Sequence, residues 1–306
     1  MLGLKPPASH NPPITPQTPG QLIGAYGLRR LVEGYTGPAL RIRRSTDNVE
    51  TDIGFNADGT LDTAAVLAHC GAAYVPVDGG LKLPGNNTQY GNCATVPHAS
   101  NLAFTGDIDI RFQAAVNVAS YSRSIMCRRL SSPGAGDTWR VNFTSTQINF
   151  IAFTGVNAVA NFTHGIAAGT VSWFRITRNA TTGVIAGYTS PDGTTWTAIG
   201  TTSQATGPLP TTTTPVCIGN PGLPSEDIVG TVYRAQLFDG IDGTKVLDVD
   251  FTRAPKDNIT TTFGALTGQT VTINRVGQSA YVVREYDQST GNRGLVLPGT
   301  SGNTAS

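Results

Sequence analysis

The sequence predicts a mainly β protein built around a β-sandwich of the jelly-roll type. Between Phe104 and Thr252, short strand-like segments follow one another, most of them bounded by Gly, Pro, Asn or Asp. Apolar and polar side chains alternate in the first of these segments, 106–116, which is typical of a strand with one buried face. Because many short strands occur at this spacing with no helix between them, a sandwich is favoured over an α/β fold.

The chain divides into four predicted parts. Residues 1–20 contain six prolines, which favour an extended N-terminal arm with no fold of its own. Residues 21–78 combine helical and strand-like patterns and predict a small α+β segment. Residues 79–254 hold the sandwich, and residues 255–306 hold C-terminal strands and a tail.

The composition excludes several classes of function. Charged residues make up 13% of the 306 residues, and 21 basic against 20 acidic side chains leave a net charge of +1. Such a chain lacks the concentrated basic field that attracts phosphate backbones, so we expect no nucleic-acid partner. No apolar run reaches the length of roughly 18 residues that a membrane-spanning helix needs, so we expect no membrane insertion.

The four cysteines are expected to be buried free thiols. They show neither the C-x-x-C spacing nor the histidine partners of a zinc site. Cys127 and Cys217 lie in strand-like runs, where cysteine behaves as a small apolar residue. A disulfide between Cys70 and Cys93 is the alternative.

Three arginines stand close together in a predicted strand of the α+β segment, at Arg41, Arg43 and Arg44. Such a patch could bind a phosphate or another acidic partner. Acidic side chains follow along the chain, at Asp47, Glu50 and Asp52. Because opposite charges on neighbouring strands pair readily, an exposed strand face with internal ion pairs is the favoured interpretation.

Four short motifs follow one another near the N-terminus, namely Ala25–Leu31, Tyr35–Asn48, Asp52–Gly54 and Leu61–Ala65. Together they resemble the opening of the catalytic domain of the α-L-arabinofuranosidase B family. They also resemble a segment that recurs in bacteriophage virion proteins. The chain departs from the enzyme family after Cys70.

The sandwich carries a second set of motifs, at Leu83–Gly85, Thr105–Arg111, Trp173–Thr177, Tyr188–Trp196, Gly230–Tyr233 and Leu237–Gly243. These are similar to concanavalin A-like or laminin G-like jelly rolls, particularly those of phage structural proteins. The resemblance implies a structural protein on the surface of a phage particle, as a head or tail decoration or a fibre-like appendage. It further implies adhesion to a host-surface glycan.

The same resemblance implies the partners. We expect the N-terminal arm to contact capsid or tail proteins, and we expect the chain to form a homo-oligomer. A disordered tail is the alternative interpretation of the arm. We expect no cofactor.

An enzyme of the arabinofuranosidase type would need two carboxyl groups on opposite sides of the scissile bond, about 5 Å apart. The resemblance would place the catalytic glutamate within Trp139–Gln147, which contains no acid. It would place the second acid within Ile218–Gly222, which also contains none. We therefore expect a protein without catalytic activity, and a glycoside hydrolase acting on arabinose-containing polysaccharide is the alternative.

Glycan binding requires an exposed aromatic ring and nearby amide or guanidinium groups. The candidate residues are Tyr121, Arg123, Trp139, Asn142 and Asn149. Two other tryptophans, Trp173 and Trp196, are expected in the core.

Two acidic motifs could serve either a functional or a purely structural role. Asp107 and Asp109 alternate on one strand face and could hold calcium, because hard cations prefer oxygen ligands, although solvated strand acids are the favoured interpretation. The run Ser190–Trp196 has the form of the Asp-box of sialidases. We interpret it as a hairpin turn that is tied by the Ser and Asp side chains, with the Trp packed beneath.

Overall fold

A computed structural model describes residues 28–45, 47–76, 79–85, 92–117, 123–128, 138–153, 157–203, 206–219, 228–256, 260–275, 277, 280–288 and 295–296. The chain divides into two compact units. The smaller unit combines residues up to 70 with residues from 278 onward, and the larger unit comprises residues 71–277. The predicted arm, 1–20, lies outside the described residues.

The described elements are almost all strands. In chain order they are β1 (Leu40–Arg44), β2 (Glu50–Ile53), α1 (Thr63–His69), β3 (Leu81–Pro84), β4 (Cys93–Val96), a 3-10 turn (Ser100–Leu102), β5 (Ile108–Val116), β6 (Arg123–Arg128), β7 (Trp139–Phe143), β8 (Gln147–Phe153), β9 (Asn157–Thr163), β10 (Ser172–Arg178), β11 (Val184–Ser190), β12 (Thr197–Ser203), β13 (Val216–Gly219), β14 (Val229–Asp239), β15 (Thr244–Asp250), a 3-10 turn (Phe251–Arg253), β16 (Thr262–Gly264), β17 (Thr270–Asn274), β18 (Ala280–Glu285) and β19 (Leu295–Val296).

The described part of the smaller unit is an antiparallel sheet with one short helix. Its strand order is β19-β18-β1-β2. Asp62 begins α1, because its carboxylate accepts a hydrogen bond from the backbone N–H of Ala65 at 2.9 Å. The buried core of the unit comprises Ala39, Leu40, Ile42 and Ile53.

The larger unit is a β-sandwich. Within the described residues, one antiparallel sheet has the order β12-β11-β10-β5-β14-β15, with β3 also paired to β14. The other has the order β16-β17-β4-β13-β6-β7-β8-β9. Phe112 and Phe174 of the first sheet pack against Phe143 of the second, with ring centroids 5.8 and 4.9 Å apart. Apolar residues of both sheets form one core cluster, so the prediction of a mainly β jelly-roll sandwich is confirmed.

The alternation predicted for 106–116 explains how β5 is oriented. Ile108, Ile110 and Phe112 are buried in the core cluster. Asp109 and Arg111 point to the opposite side, the outer face of the seven-stranded sheet, because successive side chains of a strand face opposite ways.

The unit boundaries differ from the predicted parts at the C-terminal end. Strand β17 pairs with β4 and β16 pairs with β17, so both extend the eight-stranded sheet of the sandwich. Strand β18 instead pairs with β1 in the smaller unit. Backbone pairing, which composition does not reveal, therefore divides the predicted C-terminal part, 255–306, between the two units.

The structure also bears on the predicted state of the cysteines and on membrane-spanning helices. Cys70, Cys93, Cys127 and Cys217 are buried and free, as predicted. Among the described residues, no helix has the length and apolar character needed to cross a membrane.

Candidate functional site

The strand register places a polar row across the outer face of the seven-stranded sheet. Cross-strand partners on β11, β10, β5, β14 and β15 succeed one another as Tyr188, Arg175, Arg111, Gln236 and Asp248. The neighbouring row brings Thr177, Asp109 and Phe238 side by side. Two arginines and an aspartate from adjacent strands are thereby held on a rigid sheet.

Asp109 forms the base of this cluster. Its side chain is fully buried. Arg111 donates to its two carboxylate oxygens from Nε and Nη2 at 3.1 and 2.7 Å. Arg175 donates to the same two oxygens at 3.1 and 2.8 Å. One buried carboxylate therefore orients two guanidinium groups, each held in the bidentate geometry that favours arginine.

Asp242 closes the cluster from the solvent side. It lies in the loop between β14 and β15, and its backbone N–H donates to Asp109 Oδ2 at 3.1 Å. Its own carboxylate Oδ1 lies 2.5 Å from Arg111 Nη2 and 2.7 Å from Arg175 Nη2. Two carboxylates and two guanidinium groups thus form a neutral set of four charges.

Aromatic rings surround the two guanidinium groups. The Trp196 ring lies 5.7 Å from each of them, measured from Cζ to the ring centroid. Phe238 lies 4.2 Å from Arg111, and Tyr188 lies 5.3 Å from Arg175. Trp196 and Tyr188 are partly exposed, whereas Phe238 is buried. We call the surface formed by Arg111, Arg175, Tyr188, Trp196 and Asp242 the charged face.

Two groups of the cluster, Asp242 and Arg175, are stabilised in their ionised forms. The hydrogen bond from Arg175 is the largest influence on Asp242 and holds the pKa of that carboxyl below its usual value. Burial disfavours the charged form of Arg175, but the hydrogen bonds to Asp109 and Asp242 outweigh it and raise the pKa of Arg175. Both shifts favour the ionised form of the group concerned, the carboxylate of Asp242 and the guanidinium of Arg175.

A second ionic group ends the polar row. Asp248 on β15 is buried and accepts hydrogen bonds from Arg234 at 2.7 Å, Lys245 at 3.0 Å and Gln236 at 3.1 Å. Burial opposes ionisation of Asp248, but these three donors outweigh it and lower its pKa. This group is saturated by its own neighbours.

The glycan-binding residues predicted from the sequence do not form one surface. Asn142 and Asn149 are direct cross-strand partners on β7 and β8, but both are buried, and Asn149 donates to Asn161 at 2.7 Å. Arg123 is partly exposed at the start of β6. Tyr121 lies outside the described residues.

Trp139 was expected to offer an exposed ring, and this prediction is wrong. Its side chain is fully buried in the core. Trp139 and Asn142 are three residues apart on one strand, so their side chains point to opposite faces of the sheet. A core-facing Trp139 has no ring face available to a sugar.

The two other tryptophans lie on the outer face of the seven-stranded sheet, and the burial expected of both is found for Trp173 but not for Trp196. Trp173 is buried beneath the hairpin turn, where a Cβ atom added to Gly193 would lie 2.7 Å from the indole ring. Gly193 also has a φ of +75°, which favours glycine. Trp196 is partly exposed and lies over the arginines.

The Asp-box-like turn has the predicted structural role. Asp192 accepts hydrogen bonds from the backbone N–H groups of Thr194 and Thr195, both at 2.8 Å. Ser190 Oγ donates to Asp192 at 2.9 Å and accepts from the backbone N–H of Gly193, also at 2.9 Å. These backbone donors lower the pKa of Asp192. The tryptophan beneath the turn is Trp173, rather than Trp196 of the motif.

Asp107 and Asp109 do not form the oxygen cluster that a calcium site requires. Asp109 is enclosed by two guanidinium groups, which would repel a cation, and its burial also rules out a solvated strand acid. Asp107 accepts hydrogen bonds from the backbone N–H of Ala180 at 2.7 Å and from Asn179 at 3.1 Å. Elsewhere in the described part of the chain, no group of three or more His, Cys, Asp or Glu residues could hold a metal ion.

The exposed arginines of the smaller unit pair internally, as predicted. The shortest distances join Arg41 to Asp52 at 2.7 Å, Arg43 to Glu50 at 2.6 Å and Arg44 to Asp47 at 2.5 Å. The strand face is thus neutralised by its own acids.

Neither carboxylate of the charged face fits the role of a glycosidase acid. A general acid for glycoside hydrolysis needs a raised pKa, and the pKa of Asp242 is lowered. Asp109 is fully buried beneath the arginines and is not accessible to a substrate. The two carboxylates of the charged face therefore do not form the acid pair that glycoside hydrolysis requires.

Comparison with known proteins yields likenesses of structure. No protein-family model and no curated protein matches the sequence. A native heptameric SAP-like pentraxin from Limulus polyphemus aligns with 65% of this chain and 97% of its own, at 13% identity and a TM-score of 0.42. A candidate carbohydrate binding protein from Bacteroides ovatus aligns with 76% of this chain and 66% of its own, at 9% identity and a TM-score of 0.44.

A GH54 α-L-arabinofuranosidase aligns with 71% of this chain and 59% of its own, at 12% identity and a TM-score of 0.34. At such identities and TM-scores, the likenesses carry no argument about ligand or activity. The sheets and contacts of this chain define a mainly β jelly-roll sandwich with a charged, partly aromatic outer face.

Proposed function

We propose that this protein is a non-catalytic glycan-binding module and that the sugar binds at the charged face. The observation that carries the proposal is the position of Trp196, a partly exposed indole held over two arginines on a rigid sheet. Such a surface combines an apolar ring with directed N–H donors.

The chemistry of a sugar matches both components. The C–H face of a pyranose packs against an aromatic ring, and hydroxyl or carboxyl oxygens accept hydrogen bonds from guanidinium groups. Because Asp109 already fixes the two arginines, few side chains need to be ordered when the ligand binds. Preorganisation of this kind lowers the entropic cost of binding.

The proposal places the module on a phage particle, as a head or tail decoration or a fibre-like appendage. Its support is the resemblance of the N-terminal motifs and the sandwich motifs to virion proteins. Many copies on one particle would convert a weak single-site affinity into stable attachment to a host surface. Quantitative mass spectrometry of purified particles would detect the protein in stoichiometric amounts, and its absence from them would contradict this part of the proposal.

The direct test compares binding of three forms of the full chain to a glycan microarray. Trp196→Ala removes the ring of the charged face, and Tyr281→Ala removes an aromatic side chain that is 52% exposed in the smaller unit. We expect the wild type and Tyr281→Ala to bind the same glycans. We expect Trp196→Ala to bind at least about tenfold more weakly, as the loss of one stacking ring predicts.

Near-UV circular dichroism would verify that the variants are folded. Glycan binding that is unaffected by Trp196→Ala would contradict the assignment of the site. A wild type that retains no glycan would contradict the function itself.

A separate assay tests the absence of catalysis. We expect no release of nitrophenol from nitrophenyl arabinofuranoside during prolonged incubation with the protein. Turnover that disappears on substitution of a single Asp or Glu would instead identify a glycoside hydrolase.

A further inference from the structure

Two guanidinium groups of the charged face converge on one position that Asp242 fills. Arg111 and Arg175 each bind Asp109 beneath them through Nε and Nη2. The same two Nη2 atoms also contact a single oxygen of Asp242 at 2.5 and 2.7 Å. One carboxylate oxygen therefore bridges two arginines on the side that faces solvent.

The two aspartates that share the arginines differ in how firmly they are held. The side chain of Asp109 is 0% exposed, whereas that of Asp242 is 65% exposed. Asp109 lies in the middle of the sheet, whereas Asp242 lies in a hairpin loop with exposed neighbours at Ile241 and Gly243. Rotation of the Asp242 side chain into solvent would leave the strands and Asp109 in place.

The backbone of Asp242 adopts a conformation that holds its carboxylate beside the two arginines. Asp242 has a φ of +54°, in the left-handed region that non-glycine residues seldom adopt. The turn also holds its N–H against Asp109 at 3.1 Å. The loop thus presents a carboxylate to the arginines at a backbone conformation that glycine would adopt at lower cost.

Withdrawal of the Asp242 carboxylate would change the charge of the site. Asp109 would then balance only one of the two guanidinium groups, which leaves one net positive charge among Tyr188, Trp196 and Phe238. A positive charge in such partly desolvated surroundings attracts an anion more strongly than a charge in bulk water does. The rings beside it offer contact to the apolar face of a sugar.

We propose that the ligand of the charged face is a sugar that carries a carboxylate. The side chain of Asp242 competes with this ligand, because both carboxylates bind at the same position between Arg111 and Arg175. This inference rests on the proposed function and specifies the substrate class of the same site. A carboxylate is favoured over other anions because the group that occupies the position is itself a carboxylate. Uronic and sialic acids belong to this class.

Isothermal titration of the full chain with galacturonic acid and with galactose tests the inference, because the two sugars differ by the carboxylate. Asp242→Asn keeps the shape of the competitor and removes its charge. Asp239→Asn is the matched control, since Asp239 is an exposed acid at the start of the same loop. Galactose 6-sulfate provides a second anion of different geometry.

We expect galacturonic acid to bind Asp242→Asn more tightly than it binds the wild type and Asp239→Asn. If Asp242 fills the position about nine-tenths of the time, the apparent affinity rises about tenfold on its removal. We expect galactose to bind all three forms equally and more weakly. The gain should disappear when Arg175→Met is added to Asp242→Asn.

Three outcomes would overturn the inference. Galacturonic acid could bind Asp242→Asn no better than the wild type, galactose could bind as tightly as galacturonic acid, or the sulfated sugar could bind more tightly than both. The second outcome would overturn the choice of an acidic sugar but not the proposed function, provided that Trp196→Ala still weakens galactose binding. If Asp242→Asn does not fold, Asp242→Ser provides the same comparison.

Discussion

Two regions of the molecule pair arginine with carboxylate and do so in opposite ways. On β1 of the smaller unit, the side chains of Arg41, Arg43 and Arg44 are 36%, 31% and 24% exposed, and each has its own nearest acid. In the sandwich, the side chains of Arg111 and Arg175 are 14% and 9% exposed and share the same two aspartates.

Both regions contain the same residue types, so residue type does not distinguish a site from a solvated surface. The distinguishing features are the burial of the ion pairs and the sharing of one carboxylate by two arginines. Exposed ion pairs typically contribute between about 0 and 1 kcal/mol, because water screens the charges and the side chains lose freedom. Removing one member of a buried group commonly costs about 3–5 kcal/mol, because a charge is left unpaired. Of these two regions, the charged face therefore is the one that combines fixed geometry with a charge that a ligand could engage.

The largest expected effect is that of Asp109→Asn in the sandwich. This change leaves two guanidinium groups with Asp242 alone, so we expect the free energy of unfolding to fall by about 3 kcal/mol. All three tryptophans of the chain lie within 71–277, so their fluorescence during urea denaturation reports on the sandwich. Asp239→Asn is the control. If Asp109→Asn lowers the free energy of unfolding by less than about 1 kcal/mol, the assignment of a buried carboxylate shared by two arginines is contradicted.

An intermediate effect is expected for Asp248→Asn, with a defined dependence on pH. The variant loses the charge-assisted hydrogen bonds that Arg234 and Lys245 donate to the Asp248 carboxylate, so we expect the free energy of unfolding to fall by about 2 kcal/mol at pH 7. Because the pKa of Asp248 is lowered in the folded state, its stabilising contribution is present above its unfolded pKa.

That contribution disappears as the pH falls through the folded-state value. The difference in stability between the wild type and Asp248→Asn should therefore be constant near neutral pH and shrink below about pH 4. Urea titrations at a series of pH values measure this difference. A difference that persists or grows at low pH would contradict the assigned ionisation.

The smallest effect is expected for Asp52→Asn in the smaller unit. Asp52 pairs with Arg41 and accepts a hydrogen bond from Tyr286 at 2.7 Å, and its side chain is 39% exposed. We expect the opening free energy of β1 to fall by less than about 1 kcal/mol. Hydrogen exchange of the amides of Leu40–Arg44 measures this opening free energy. If Asp52→Asn lowers it by as much as Asp109→Asn lowers the stability of the sandwich, the exposed and the buried ion pairs do not differ in strength.

The sequence alone was sufficient for features that depend on neighbouring residues. Alternation in 106–116 predicts which side chains of β5 face the core, although it does not predict the burial of Asp109 on the outer face. The proximity of Asp52 to Arg41 predicts an exposed pair on adjoining strands. The tied turn at Ser190 and Asp192 was predicted for the same reason. In each of these features, the interacting residues lie within about one hairpin of one another.

The charged face could not be predicted, because its members come from distant parts of the chain. Arg175 meets Arg111 only because β10 pairs with β5, and Asp242 lies 131 residues after Arg111. The error on Trp139 has a different origin. Its spacing of three from Asn142 already places the two side chains on opposite faces of a strand, so the alternation rule would have excluded them from one surface.

The most direct test of the account is a crystal structure of the full chain soaked with galacturonic acid. We expect the sugar carboxylate to accept hydrogen bonds from Nη2 of Arg111 and Arg175, the Asp242 side chain to point into solvent, and the sugar ring to lie against Trp196. A sugar bound elsewhere, with Asp242 still bridging the two arginines, would contradict it.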